Sequence, residues 1–299
     1  MSTTIACLGL GAMGAPIAAN LITAGFTVRA WNRTRARADA LEGATATATP
    51  REAATSAAFV ITMLADDAAV ESATYRPDRL LAGAAKGALH ISMSTISLAA
   101  TRRLAQTHAE RGVEFIAAPV FGRPDAARNR LLWVVPGGPA AALERAAPIF
   151  AAIGQGTFPM PSAERAILAK LAGNFMIGAT IEALGEALVL AEKGGLDPEL
   201  MLTVLTGSLF NAPVYRNYGP RIARTEFVPA GFTLPLALKD LQLVLAAASE
   251  FRTPMPLAEM VRDRINAALS RGREQYDFAG LATVIREAAG LGERRGEGE

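Results

Sequence analysis

The sequence predicts an α/β fold: a doubly wound parallel sheet, then an all-helical second half, the two joined by one long interdomain helix. Three observations carry that expectation. Between Ile5 and Ala117 short apolar runs alternate with helical patterns, the rhythm of a parallel sheet with helices on both faces. After Lys193 only helical patterns follow. Between these halves, Ala163 to Lys193 contains no proline, is rich in Ala and Leu, and repeats apolar residues at helical spacing. That makes one helix on the order of 45 Å long, too long for one ordinary domain. The expected domains are residues 1–161 and 162–299.

Taken in order, Ile5-Ala6-Cys7-Leu8 is an apolar run ending in Gly9-Leu10-Gly11-Ala12-Met13-Gly14, followed by a helix pattern through Ala24 and a Gly25 stop. In such a strand, glycine turn and helix, the first Gly permits the turn and the second lets a pyrophosphate approach the backbone. The third allows close helix packing. The helix N-terminus then meets the phosphates with unpaired N–H groups and a partial positive charge. A bare GxGxxG is weak evidence, but a second strand at Thr27 to Trp31 falls where it should. Residues 1–161 therefore read as a Rossmann-type dinucleotide-binding domain, with Gly9, Leu10, Gly11, Ala12, Met13 and Gly14 against the cofactor.

A carboxylate at the end of that second strand would hydrogen-bond the ribose hydroxyls of NAD. This chain has Asn32-Arg33-Thr34 instead. Nothing there repels a 2′-phosphate, and Arg33, Thr34, Arg35 or Arg37 can hold one by charge-assisted hydrogen bonds, so NADP is the expected cofactor. The competing reading is a solvated helix start with Thr34 as N-cap.

Further strand-like runs are Phe59 to Met63, Ala88 to Met93 and Val113 to Ala117. Ligands of such sheets sit beyond the carboxyl ends of the strands. Met63 and Leu64 are placed there along the cofactor, and Ser94 and Thr95 offer hydroxyls near the nicotinamide. Pro119-Val120-Phe121-Gly122-Arg123 follows the next run. Asp66 and Ser97 read as N-caps. Leu131 to Val135 and Gly156 to Met160 read as last strands before the long helix.

That helix ends at Gly194-Gly195, and Asp197-Pro198 starts the next. Helices are expected over Pro198–Thr206, Tyr215–Arg224, Leu234–Glu250, Leu257–Arg271 and Phe278–Ala289, with a frayed tail from Gly292 to Glu299. Phe175, Met176, Ile177, Ile181, Leu184, Leu188 and Leu190 make the long helix apolar on most of its circumference, which calls for a homodimer or larger assembly. Lysine occurs only at Lys86, Lys170, Lys193 and Lys239. Lys170 and Asn174, four apart, share one face of the long helix, and an amine beside an amide where two domains meet suggests a site.

Composition narrows the class further. The 299 residues are 51% apolar and 19% charged with a formal charge of +2, which offers nucleic acid or membrane no charged block. Cys7 is the single cysteine, so no internal disulfide forms and no thiolate zinc site is built. A cytoplasmic location is expected, because no charged leader precedes an export segment. Apolar stretches are broken by charge or Gly, so no membrane span is expected. His90 reads as a strand residue and His108 as a helix-surface one, neither with an evident partner or metal role.

With these residues assembled, the chain resembles the β-hydroxyacid dehydrogenase family, which includes 3-hydroxyisobutyrate dehydrogenase and the glyoxylate/succinic semialdehyde reductases. Gly9 to Gly14 with Ala15 to Leu21 is similar to the family's cofactor signature and Trp31-Asn32-Arg33-Thr34 to its NADPH-preferring version. Ser94-Thr95 matches its serine-threonine pair, Ala118-Pro119-Val120-x-Gly122 its substrate loop, Lys170 with Asn174 its catalytic helix, and Lys239-Asp240 its late cofactor-contacting pair. The resemblance implies Lys170 as catalytic lysine, Asn174 positioning the substrate, and Thr95 and Lys239 touching the cofactor. Ser94, Phe121, Gly122 and Arg123 would face the substrate. The loop departs from the family's Asp-Ala-Pro-Val-Ser-Gly-Gly: Phe121 removes a hydroxyl and adds bulk, and Arg123 replaces a glycine. Glu164 and Ala166 stand where glycines usually precede the lysine.

The expected chemistry is reversible hydride transfer between NADPH and the carbonyl of a small semialdehyde or keto compound, Lys170 exchanging the proton. Two alternatives stay open: an imine or bulky-ketone reductase, which Phe121 favours and Lys170 disfavours, and a catalytically idle NADPH-binding protein.

Overall fold

The computed structural model describes residues 2–292 and divides the chain into two compact units, residues 1–170 and 171–299. The tail expected to fray from Gly292 lies, from residue 293 on, outside the described residues.

The first unit runs β1 (Thr4–Leu8), α1 (Gly14–Thr23), β2 (Thr27–Trp31), α2 (Ala36–Asp39), β3 (Ala44–Ala46), α3 (Pro50–Ala54) and β4 (Phe59–Thr62). It continues with α4 (Asp67–Thr74), α5 (Leu80–Gly83), β5 (Leu89–Ser92), α6 (Leu98–Arg111) and β6 (Glu114–Ala117). Then come β7 (Val120–Phe121), α7 (Pro124–Arg128), β8 (Leu132–Val134), α8 (Ala140–Ile153), β9 (Gly154–Thr157) and the start of α9 (Ala163–Lys193).

Six parallel strands form one sheet in the order β3-β2-β1-β4-β5-β6, which reverses direction of growth between β1 and β4. In-register pairing of Trp31, Leu8, Thr62, Ser92 and Ala117 puts five strand ends in one row. The loops that follow therefore emerge side by side at the edge where such sheets bind ligands. Alternation along β1 sends Ile5 and Cys7 into one core layer and Ala6 and Leu8 into the other, which is the physical meaning of doubly wound. Helix α1 buries Ile17, Ala18 and Leu21 on the first of these layers. Asp66 and Ser97 do cap their helices, accepting from the N–H groups of Ala69 and Ala100.

Three strand expectations need correction. β3 was not anticipated, because an edge strand of Ala-Thr-Ala carries no apolar signal. Val120–Phe121, expected as loop, is a strand antiparallel to β8 in a separate three-stranded sheet, β7-β8-β9. The last strand is Gly154–Thr157 instead of Gly156 to Met160. It follows α8 without a loop, and Met160 makes only an isolated bridge to Gly137.

The compact division falls inside α9 instead of before it. Ala166 and Ile167 are fully buried, and Gly137 has no side chain where a Cβ would lie 2.2 Å from the Ser162 carbonyl oxygen. The first turns of α9 thus belong to the first unit. By length and composition α9 is also apolar enough to cross a membrane, contrary to the sequence expectation. Its burial of Lys170, Asn174 and Glu182 is that of a packed helix carrying polar groups inward.

In the second unit, Gly195 in a left-handed conformation stops α9, and Asp197 caps α10 (Pro198–Gly207) through the Leu200 N–H. α11 (Pro213–Arg224), α12 (Leu234–Glu250), α13 (Pro256–Leu269) and α14 (Ala282–Ala288) follow. Close packing on α9 needs Gly178 and Gly185, where a Cβ would lie 2.9 Å from the Phe278 ring and 2.8 Å from Ile285. The helix expected over Phe278–Ala289 is a 3₁₀ turn, Phe278–Leu281, running into α14. Asp277 starts it, and its other carboxylate oxygen accepts from Gly231 N–H. Arg264 pairs with the buried Glu182 at 3.0 Å, and burial holds that carboxyl above its usual range. Met176 and Leu190 of α9, with Leu200 and Val204 of α10, remain exposed.

Candidate active site

The glycine loop is a product of backbone crowding. Gly9 sits at φ +99°, and a Cβ there would lie 2.4 Å from the Met63 carbonyl oxygen; one at Gly14 would lie 1.9 Å from the Gly9 carbonyl oxygen. Any side chain at either position drives the turn off β4 or off α1. Gly11 differs, since its Cβ would meet nothing nearer than Arg37 Nη1 at 4.0 Å. Its bare backbone is a cradle open toward a cation. Helix α1 behind it has no side-chain cap and no acidic residue in its first turn, so its N-terminal dipole is left to an anion.

Asn32 braces this loop. Its Oδ1 accepts from Leu10 N–H at 2.9 Å and its Nδ2 donates to the Thr34 carbonyl at 3.0 Å, tying the first and second strand ends together. Arg33, Thr34, Arg35 and Arg37 are exposed beyond it. Arg35 pairs with Asp39, and it, not Thr34, occupies the cap position of α2, because the helix starts at Ala36. A cradle open at Gly11 and an uncapped helix behind it fit the pyrophosphate of a dinucleotide.

Met63 and Leu64, just past the end of β4, lie against Gly9. Ser94, expected among the substrate contacts, is 1% exposed, and its hydroxyl accepts from Leu64 N–H at 2.8 Å. It stitches the ends of β4 and β5 together. Thr95, next in the chain, is half-buried.

Lys170 is 9% exposed and its Nζ lies 4.3 Å from the centroid of the Phe121 ring. β7 places that ring: Phe121 pairs directly with Trp133 of β8, and Gly122 follows at φ +139°, where a Cβ would strike Leu132. Arg123, half-buried, holds the N-cap position of α7.

One turn further along α9, in the second unit, Asn174 is 6% exposed and its Nδ2 donates to Asp240 Oδ2 at 2.5 Å. Only the nitrogen can donate to a carboxylate, so the amide carbonyl is turned away from Asp240. Lys239 Nζ lies 2.6 Å from the other Asp240 oxygen. Asp240, 3% exposed, thus joins Asn174 to Lys239, a role that its place beside Lys239 in the sequence does not by itself reveal. An acid inside an apolar helical pattern was the available signal. A cavity of about 240 Å³ in the same unit, lined by Thr225, Phe227, Tyr276 and Arg286, contains none of these residues.

His90 lies in β5 as expected, but His108 is buried, not at the surface, and the pair are each other's partners. His108 Nδ1 lies 2.6 Å from the Leu104 carbonyl, His90 Nδ1 2.8 Å from His108 Nε2, and Thr62 Oγ1 2.9 Å from His90 Nε2. A carbonyl only accepts, so His108 carries its proton on Nδ1. His90 then donates to His108, and Thr62 donates to His90. Burial pushes His108 down to about 4 and His90 well below the usual histidine range. Cys7, fully buried, is pushed up to about 12 and is chemically inert. Among the described residues no group of three or more His, Cys, Asp or Glu is placed to hold a metal ion.

Residues 4–167 match the family model of the NAD binding domain of 6-phosphogluconate dehydrogenase. Residues 165–285 match that of the NAD-binding domain of NADP-dependent 3-hydroxyisobutyrate dehydrogenase. The chain is 43% identical to the uncharacterized oxidoreductase YfjR of Bacillus subtilis, covering 94% of this chain and 99% of that one. Identity to glyoxylate/succinic semialdehyde reductase 1 of Arabidopsis thaliana is 30%, over 93% and 97% of the two chains. The solved structure of Mycobacterium tuberculosis 3-hydroxyisobutyrate dehydrogenase with L-serine superposes with a TM-score of 0.85 at 31% identity, over 96% of this chain and 100% of that one. Matches to both units, across nearly the whole length and with the motifs in place, show that the protein belongs to the β-hydroxyacid dehydrogenase family of oxidoreductases.

Proposed function

We propose that the protein catalyses reversible hydride transfer between NADPH and the carbonyl carbon of a small semialdehyde or keto compound, with Lys170 as proton donor and acceptor. The observation that carries this reading is a nine-tenths-buried lysine on α9, in the same unit as the open glycine cradle. When bound, the cofactor supplies or takes the hydride. Lys170 gives an N–H proton to the carbonyl oxygen as negative charge develops there, and takes it back in the oxidative direction. The Gly9–Gly14 loop and the N-terminus of α1 hold the pyrophosphate. Arg33, Thr34 and Arg37 hold a 2′-phosphate, which makes NADPH the preferred cofactor. Met63, Leu64 and Thr95 lie along the nucleotide. Asn174, its amide set by Asp240, orients the substrate oxygen, and the same carboxylate sets Lys239 for the cofactor. Gly122 and Arg123 border the substrate, while Ser94 shapes the site from behind.

The names of the relatives support small hydroxy and carbonyl compounds as substrates. The exposed apolar faces of α9 and α10 support a homodimer or higher assembly, and the one inert cysteine suits a reducing cytoplasm. Replacing Lys170 by Ala tests the reading: turnover of succinic semialdehyde with NADPH should fall by about 10²–10⁴-fold while NADPH still binds. Retained turnover removes Lys170 from the mechanism. Phe121 keeps a second reading in view, an imine or bulky-ketone reductase, and a cyclic imine assayed beside the semialdehyde separates the two. NADPH binding without turnover of either would mark an idle nucleotide-binding protein.

A further inference from the structure

We infer that Phe121 is a positioning residue for Lys170, its π face holding the ammonium where the proton is delivered; the inference rests on Lys170 being the proton donor. Three features converge on it. Nζ lies 4.3 Å from the ring centroid, inside the range at which an aromatic face attracts a cation. Lys170 is 9% exposed, so water competes little for that attraction. The ring is itself fixed, because Phe121 is paired across β7–β8 with Trp133 and followed by Gly122 at φ +139°.

The chemistry of a ring suits this task. A π face attracts the charge without taking a proton, so it restricts the four-carbon stem of the lysine and leaves the acid able to react. Misplacement of a reacting group by about 1 Å costs up to about a hundredfold in rate, which is the scale on which such a restraint acts.

The test replaces Phe121 in the full-length protein with mono-, di- and trifluorophenylalanine, which nearly preserve ring size while withdrawing the negative potential of the face. Turnover of succinic semialdehyde with saturating NADPH should fall stepwise, by about tenfold across the series, with NADPH affinity unchanged. Phe121→Tyr should retain most of the turnover that Phe121→Leu loses. A flat fluorine series, with Lys170→Ala inactive in the same assay, overturns the positioning role and leaves Lys170 as proton donor. An active Lys170→Ala overturns both. Should Phe121→Leu fold poorly, the fluorine series decides alone, since each member keeps the packing of the parent ring.

Discussion

Acid should loosen the first unit through its buried histidine pair, and the size of the effect can be worked from the structure. His108 is held at about 4 in the fold against an ordinary value of 6.5, with burial as the cause. The unfolded chain therefore binds more protons than the native one below pH 6.5, and stability falls as pH falls. The histidine's contribution is fully present above pH 6.5 and is lost progressively down to about pH 4. One group shifted by that much is worth about 3 kcal/mol, at a slope approaching about 1.4 kcal/mol per pH unit, and His90 adds in the same direction. Replacing His108 by Gln keeps an acceptor for His90 and a donor for Leu104 and removes one proton from the balance. The assay is urea unfolding at several pH values between 7.5 and 4.5, followed by tryptophan fluorescence. Trp31 and Trp133, the two tryptophans of the chain, both lie in the first unit, so the signal reports that unit. Between pH 6 and 5 the variant's stability should decline less steeply than the parent's by about 1 kcal/mol per pH unit. Equal slopes would refute the argument that the pair is neutral and buried in the fold.

Other perturbations address the site. Gly14→Ala puts a Cβ 1.9 Å from the Gly9 carbonyl oxygen, so the loop must shift and NADPH affinity should fall at least tenfold, read by fluorescence titration. Arg37→Ala removes the guanidinium nearest the Gly11 cradle. It should raise KM for NADPH several-fold and leave KM for NADH nearly unchanged; equal effects on both would place Arg37 at the pyrophosphate instead. Asp240→Asn keeps the shape that meets Asn174 but ends the ion pair with Lys239. It should lower kcat/KM by about tenfold, and wild-type kinetics would show that the buried carboxylate only packs.

Much of the frame was readable before any coordinates. β2 occupies Thr27–Trp31 and α9 occupies Ala163–Lys193, as the periodicity predicts, and the glycine turn stands between β1 and α1. These features are written locally, in residues two to four apart. β3 and β7 escaped because Ala-Thr-Ala and Val-Phe are too short for a pattern, and hydrogen bonding to a neighbouring strand makes them strands. His108 was misplaced because helix α6 is polar on average, and a lone imidazole in such a stretch reads as surface until its partner His90 is seen.

What the sequence by itself determined is the kind of protein. The glycine spacing, the alternation of strands and helices and the unbroken helix from Ala163 each depend on neighbours along the chain, and so survive being read in one dimension. What only the tertiary structure decided is which chemical groups meet: the Phe121 ring under the Lys170 ammonium, Asp240 against Asn174 and Lys239, and His90 on His108. Most of these partners are tens of residues apart, and strand register and helix packing choose among the many pairings that composition would allow. The local pattern therefore reveals a dehydrogenase fold, and packing brings the Phe121 ring to its lysine.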